Sequence, residues 1–343
     1  MNIFLRKYSI GRLEGLIYKY VDRSDDMKNS VVMASYNGEK YVVKQLESIV
    51  EQSIPVDEII IVDDLSTDNT CDIIEGFLSD KNIEYKLIRH KDNIGYKNTF
   101  LEALSYANGD IIFFADQDDI WKPDKVKTMC HYMEQNLDIQ ALNTGYVLID
   151  ANDAHIKENI KNKKRRKNNK GLEKVTLEQV LGYNVSMGCT LAVRKTLKDT
   201  LIEHINDIKT YNIPHDWMVN IVAAMSAGLY EIDDALIEYR LHGDNTIGLN
   251  RAATISKRID DYKDIINQKK DMLKLLRTID KKIFSAEYDY IKLMVKSYYI
   301  RCEMLERRSI SAYIRYYIKY KLYKVMDRKT FLYDMYLMVR GIR

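Results

Sequence analysis

The feature that constrains this chain most is a rhythm between residues 30 and 116. Four short runs rich in β-branched and aromatic residues, VVMAS (31–35), EIIIVD (58–63), YKLIR (85–89) and DIIFFAD (110–116), recur about 25 positions apart. Between them, residues 41–50, 71–78 and 98–106 place apolar side chains at helical intervals. Strands alternating with helices are joined by right-handed crossovers, so the first half reads as an α/β sheet with parallel strands. In such a sheet ligands collect in the crevice beyond the carboxyl ends of the strands. Here those ends read Ser35-Tyr36-Asn37-Gly38, Asp63-Asp64, His90 to Gly95 and Asp116-Gln117-Asp118-Asp119. Carboxylates and turn-forming polar residues therefore gather along one edge. Neither GxxxxGK[ST] nor a strand-borne GxGxxG occurs, so any nucleotide must be held without a P-loop or a dinucleotide fingerprint.

Further along, IWKPDKVKTMCHYM predicts a helix starting near Pro123, and ALNTGYVLID predicts a strand. VSMGCTLAVRK (185–195) and ALIEYRLH read as strands, with HDWMVNIVAAMSAG as a helix between them. From about Ser256 the pattern is helical, Tyr-rich and basic. At 343 residues, with 46% apolar and 30% charged residues and only 14 Gly and 3 Pro, the chain is neither collagen-like nor disordered, and its length suggests two domains. The longest apolar-rich run, 217–230, is interrupted by Asn220 and Ser226 and falls short of the ~20 residues that cross a bilayer. The N-terminal residues make a poor secretory signal, so a cytoplasmic location is expected. Cys71, Cys130, Cys189 and Cys302 lie at least 59 positions apart and read as free thiols rather than zinc ligands or disulfides.

Asp116-Gln117-Asp118 emerges where an apolar strand ends. Clustered carboxylates repel one another, and a hard divalent cation such as Mg²⁺ or Mn²⁺ offsets that repulsion while bridging the phosphates of a nucleotide diphosphate. By itself a DxD is also a solvated acidic loop or a helix cap ahead of Pro123. Asp63-Asp64 at a neighbouring strand end favours the ligand-binding reading.

Taken together, VVMASYNGEKYVVKQLESIVEQS, EIIIVDDLSTDNT and GDIIFFADQDDIWKPDKV closely resemble the nucleotide-sugar half of family 2 glycosyltransferases, which are inverting enzymes of the GT-A fold. MGCTLAVRK, HDWM and YRLHGDNTIG resemble the rhamnosyltransferase-like branch, and the likeness runs from Ser30 to Leu249. The resemblance implies a GT-A nucleotide-sugar-binding fold with a mixed, mainly parallel sheet, followed by a helical C-terminal region. It implies a catalytic domain over residues 29–250, divided into a nucleotide-sugar part (29–122) and an acceptor part (123–250). A helical extension (1–28) would precede it and a basic helical region (251–343) would follow.

The resemblance also implies roles. Tyr36 packs on a uracil or thymine ring, Asp64 hydrogen-bonds that base, Asp116 lies near the ribose or sugar, and Asp118 is the metal ligand. Asp119 supports either of the last two or caps the following helix. Asp216, where many relatives carry Glu-Asp and this chain has His215-Asp216, is the base that takes the acceptor hydroxyl's proton. His242 falls at the place of a third metal ligand or a diphosphate contact, with Arg240 and Asn245 beside it in a loop suited to phosphate. Gly188 to Thr190 line the acceptor pocket. Trp121 and Trp217 serve as a sugar platform or as core. Cys189 is not a nucleophile, because inverting chemistry needs no covalent intermediate. The implied partners are a dTDP- or UDP-linked sugar, with rhamnose favoured, and a glycan or lipid-linked acceptor.

Charge adds one more expectation. Residues 251–343 hold 23 Lys/Arg against 11 Asp/Glu, and residues 157–170 hold eight bases against one acid, while the remainder is acidic. Tyr313, Tyr316, Tyr317 and Tyr320 follow i, i+3, i+4, i+7 among Arg315, Lys319, Lys321, Lys324, Arg328 and Lys329. Such a stripe suits a helix at an anionic membrane surface or one packed on the catalytic domain. Nucleic acid is excluded by the acidic crevice and the absence of a recognised motif. The competing classes are a nucleotidyltransferase, whose Gly-rich phosphate loop SYNGEK does not match, and an inactive membrane-associated scaffold.

Overall fold

The computed structural model describes residues 27–156, 171–242, 254–279, 285–326 and 328–340. The expected N-terminal extension up to residue 26, the basic segment 157–170 and Asn245 lie outside the described residues.

The first half alternates as its pattern predicts: β1 (Asn29–Ser35), α1 (Val42–Val50), β2 (Glu58–Asp63), α2 (Thr70–Ser79), β3 (Glu84–Arg89), α3 (Tyr96–Tyr106) and β4 (Ile111–Asp116). A short β5 (Ile120–Trp121), α4 (Lys125–Gln135), β6 (Ala141–Ile149), β7 (Leu172–Lys174) and α5 (Leu177–Gly182) follow. The run 185–195 is not one strand. It makes a single 3₁₀ turn, Gly188–Thr190, and only then β8 (Leu191–Arg194). Next come α6 (Lys195–Glu203), α7 (Ile205–Ile208), α8 (His215–Met225) and β9 (Leu229–Arg240). The helices α9 (Ile255–Ile279), α10 (Ser285–Arg307), α11 (Ile310–Lys319) and α12 (Arg328–Arg340) complete the order.

The nine strands among the described residues form one mixed sheet in the order β3-β2-β1-β4-β8-β6-β9-β5, with β7 paired to β9. Strands β3, β2, β1 and β4 run parallel, and β8 enters antiparallel to β4. Because both faces are covered, successive residues of one strand enter different cores. Val32, Ile60, Val62, Ile112 and Phe114 pack under α3 and α8, while Val31, Met33, Ile59, Ile61 and Phe113 pack under α1, α2 and α4. The register pairs Ser35 with Asp63 and Ala34 with Asp116. Tyr36, Asp64 and Asp116 are thus brought to the same edge by backbone pairing alone.

The C-terminal helices are not loose appendages. Met272, Leu275 and Leu276 of α9 and Ile291 of α10 complete the core on the α8 side of the sheet. Beyond them, α9 to α12 close around a second core that includes Tyr262, Leu305, Tyr313 and Leu337. At its centre Asp334, fully buried, accepts from Arg301 Nε (2.8 Å), Tyr313 Oη (2.8 Å) and Tyr262 Oη. The Tyr stripe therefore faces inward. Tyr313 is buried, and Tyr317 packs on Phe331 at 4.2 Å between ring centroids. The outward side of α11 carries Ile314, Arg315, Ile318 and Lys319 instead. Among the described residues no helix is long and apolar enough to cross a membrane.

Candidate active site

A cleft of about 1340 Å³ opens over the carboxyl ends of β1, β2 and β4. Tyr36, Asp64, Asp116, Asp118, Gly188, Thr190, Asp216 and His242 all line it. Asp118 and Asp216, 98 positions apart in sequence, face the same cavity.

The nucleotide side is built on strand ends tied together by short polar bonds. Tyr36 is half exposed, as a stacking ring must be. Its backbone N–H donates to Gln117 Oε1 and its carbonyl accepts from Gln117 Nε2, both at 2.9 Å. The middle residue of DQD therefore locks the loop after β1 to the loop after β4. A Cβ on Gly38 would lie 2.1 Å from Gln117 Oε1, so the lock requires glycine there. Asp64 is buried, and its two oxygens accept the backbone N–H groups of Ile94 (2.7 Å) and Gly95 (2.8 Å), with His90 Nδ1 at 3.1 Å from Oδ1. This carboxylate first shapes the loop leading into α3. Its remaining lone pairs are what a pyrimidine N–H would meet.

Asp116 sits at the bottom of the cleft. Burial pushes its carboxyl up to about 7, with the charges of Asp118 and Asp216 adding to the effect. Behind it lies a buried cluster of Asp119, Cys189 and Lys125. Burial, then Asp116 and Asp118, raise Asp119 well above the carboxylate range, and burial lowers Lys125 to about 7. Asp116, Asp119 and Cys189 can bring one ligand atom each within 4.8 Å of the others. That group does not suit a hard cation, because burial and the two acids hold Cys189 as a thiol. Asp118 fits better. Its Oδ2 lies 2.7 Å from His242 Nε2, and both side chains remain partly exposed to the cleft. One carboxylate oxygen beside one imidazole nitrogen is a donor pair suited to Mn²⁺ or Mg²⁺, with phosphate oxygens completing the shell.

Three residues take positions other than those expected. Asp119 does not reach the cleft, because its Oδ1 accepts the Arg240 N–H at 3.1 Å in the buried layer behind it. Arg240 is fully buried, and it donates to the carbonyls of Asp118 (2.7 Å) and Asp150 (3.1 Å) and to Asp153. Its guanidinium fastens the Asp118 loop from behind the cleft rather than facing into it. Trp217 turns away from the cleft, donating to the Val180 carbonyl at 2.7 Å and lying under the Lys269 ammonium at 4.5 Å. Trp121 is core, covered by Lys125 at 3.6 Å.

The opposite wall is the first turn of α8, which Pro214 enters with ψ 145 before His215 begins the helix. Asp216 Oδ1 accepts the Trp217 N–H and Oδ2 accepts from Asn184 Nδ2, both at 2.8 Å. A carboxylate in a first helical turn also meets the positive end of the helix dipole. His215 stacks on Phe100 at 4.1 Å between centroids, and burial lowers its imidazolium to about 4, so it is neutral at pH 7. A Cβ on Gly188 would come 2.8 Å from His215 Nε2, which explains the glycine facing HDW. Asn184, between α5 and the 3₁₀ turn, escaped sequence reasoning because nothing in its neighbourhood forms a motif.

Comparison with known proteins agrees with this geometry. The family model of glycosyl transferase family 2 matches residues 30–191. An uncharacterised glycosyltransferase of Nostoc sp. is 28% identical over 219 residues, which cover 64% of this chain and 66% of that protein. The dTDP-rhamnosyl transferase RfbG of Shigella flexneri is 29% identical over 230 residues, 64% of this chain and 74% of its own. Among solved structures, S. aureus TarS 1–349 in complex with UDP-GlcNAc aligns over 92% of this chain and 93% of its own, with a TM-score of 0.55 at 16% identity. A Pyrobaculum calidifontis mannosyltransferase in complex with GDP-Man and Mn²⁺ aligns over 91% and 84%, with a TM-score of 0.51 at 14% identity. The fold is that of GT-A glycosyltransferases, and residues 30–191 of this chain carry a family 2 glycosyltransferase domain.

Proposed function

We propose that the protein is an inverting glycosyltransferase that moves a sugar, rhamnose favoured, from a dTDP- or UDP-linked donor to a hydroxyl of a cell-surface polysaccharide or lipid-linked glycan. The observation that carries the reading is the shared cleft of Asp118 and Asp216, with a half-exposed Tyr36 at the donor end. Tyr36 and Asp64 hold the base ring, and Asp116 faces the ribose or sugar. Asp118 and His242 would hold the divalent ion, which when bound neutralises charge on the departing diphosphate. Asp216, its two oxygens oriented by Asn184 and Trp217, receives the acceptor proton while that oxygen forms its bond to the anomeric carbon. The C1–O bond to phosphate breaks on the opposite face, and its electron pair leaves with the nucleoside diphosphate.

Relatives support the substrate class. RfbG is named as a dTDP-rhamnosyl transferase and TarS as a poly(ribitol-phosphate) β-N-acetylglucosaminyltransferase. A peripheral place on the inner face of the plasma membrane is part of the proposal, through the basic, outward side of α11 and α12 rather than through the buried Tyr stripe. Screening UDP- and dTDP-sugars for released nucleoside diphosphate identifies the donor. Asp216→Asn is then expected to lower that turnover by about 10² to 10⁴-fold, and unchanged turnover removes the base from the proposal.

A further inference from the structure

Lys269 of α9 is almost fully buried, yet among the described residues no carboxylate pairs with it. Burial alone lowers its ammonium to about 7. Taking such a group out of water is costly, so what it bonds to matters. Its Nζ donates to the carbonyl of Leu181 and, at 3.3 Å, to that of Gly182. These are the last two carbonyls of α5, which a helix end leaves without partners of its own. The same nitrogen lies over the Trp217 ring, 4.5 Å from its centroid, and the Trp217 Nε1–H donates to the Val180 carbonyl at 2.7 Å. Both groups that Lys269 touches lead to Asp216. The Trp217 backbone N–H donates to Oδ1, and Asn184, two residues past Gly182, donates from Nδ2 to Oδ2, each at 2.8 Å. The orientation of that amide follows from chemistry, since an ionised carboxylate accepts and never donates. Two stretches far apart in sequence, 180–184 and 216–217, thus hold one carboxylate, and a side chain from a third element contacts both.

We propose that Lys269 is a positioning residue for the base: it fixes the end of α5 against Trp217 and thereby sets the direction in which the Asp216 carboxylate faces the acceptor hydroxyl. This rests on Asp216 as the base. A general base acts only from within hydrogen-bond reach of the proton it takes, and a displacement of a fraction of an ångström lowers the rate without touching the donor. Lys269 does not line the cleft, so it acts through Trp217 and Asn184 alone. The role does not depend on its charge state, because the neutral amine still has two N–H groups for the two carbonyls. The helical region beyond residue 250 therefore contributes to the chemistry of the cleft, although none of its described residues lines it.

The test uses the full chain, with Lys269→Met, which keeps the length of the side chain and removes its donors and charge. Leu276→Ala is the control, a core truncation on the same helix that touches neither stretch. With whichever nucleotide sugar the screen shows to be turned over, Lys269→Met is expected to lower kcat about tenfold. Its affinity for UDP, measured by calorimetry, should stay within about twofold of wild type. Leu276→Ala should lose stability, read as a urea midpoint, and keep kcat. Independently of turnover, the Asn184 side-chain amide ¹H–¹⁵N resonances of the UDP-bound protein are expected to move in Lys269→Met and to stay in place in Leu276→Ala. Should the Met variant not fold, Lys269→Gln, with a shorter uncharged donor, gives the same readings with a smaller fall. An unchanged kcat, an unmoved Asn184 resonance, or a kcat that falls equally in Leu276→Ala overturns the inference. If Asp216→Asn abolishes turnover while the Lys269 variant keeps its kcat, only the Lys269 inference fails; if Asp216→Asn leaves turnover unchanged, the base reading itself fails.

Discussion

The two walls of the cleft are made in different ways. On the proposed donor wall, Tyr36, Asp64 and Asp116 are placed by strand register, and one amide, Gln117, joins the loops. On the proposed acceptor wall, Asp216 is placed by a helix start and by a side-chain bond from Asn184, 32 positions away. The first wall is fixed by repeated backbone bonds and is expected to withstand loss of one side chain. The second depends on a few contacts around one buried ring, His215, and should be the more sensitive to conditions.

That contrast can be broken by experiment, and the largest effect is expected at the acceptor wall. His215 has its imidazolium lowered from 6.5 to about 4 by burial, so the folded protein resists taking a proton that the unfolded chain accepts. Its contribution is fully present above pH 6.5 and is lost as pH falls toward 4, amounting to about 3 kcal/mol. Urea midpoints at pH 7 and pH 4.5 for wild type and His215→Phe isolate the ring, since other groups titrate alike in both. The variant should lose less stability over this interval; an identical loss would place the pH sensitivity elsewhere.

At the donor wall the expected changes are in affinity. Calorimetric titration with UDP and dTDP should show binding strengthened about tenfold by Mn²⁺. In Asp118→Asn the cation should make little difference, and equal affinity with and without Mn²⁺ in the wild type counts against metal binding at Asp118. The smallest effect is expected from Gln117→Ala, which removes two hydrogen bonds worth about 1–2 kcal/mol in sum. It should weaken UDP binding about three- to tenfold while leaving the pH response of stability unchanged. A loss larger than that of Asp118→Asn would mean that the donor wall is as fragile as its counterpart.

The same contrast explains what could be read from the sequence. The strands from 31 to 116 were legible because burial on both faces demands unbroken β-branched runs, and their ends named Tyr36, Asp64, Asp116 and Asp118 without any structure. Asp216 was placed in the cleft by resemblance to a motif. Asn184 and the lock made by Gln117 were not legible, because a side-chain hydrogen bond to a residue far away in sequence leaves no local pattern. Arg240 was misplaced for a related reason. A cation beside an expected phosphate site attracts the phosphate reading, but three oxygen-bearing groups, from 118, 150 and 153, close over it instead. The Tyr stripe of α11 showed which residues share a face and could not say what covers it. The answer lay in Asp334 and Phe331, on a helix further along the chain.

Lys269 of α9 donates to the carbonyls of Leu181 and Gly182 at the end of α5, and Asp271 accepts the Asn212 N–H at 2.8 Å just ahead of α8. One turn of a helix from the basic region thereby grips the chain at two points, just ahead of Asn184 and just ahead of the α8 turn that carries Asp216. For anyone building chimaeras to exchange acceptor preference, a splice at residue 250 would hand the donor half a foreign clamp. Moving the junction beyond Ile279 keeps the clamp with the segments it holds.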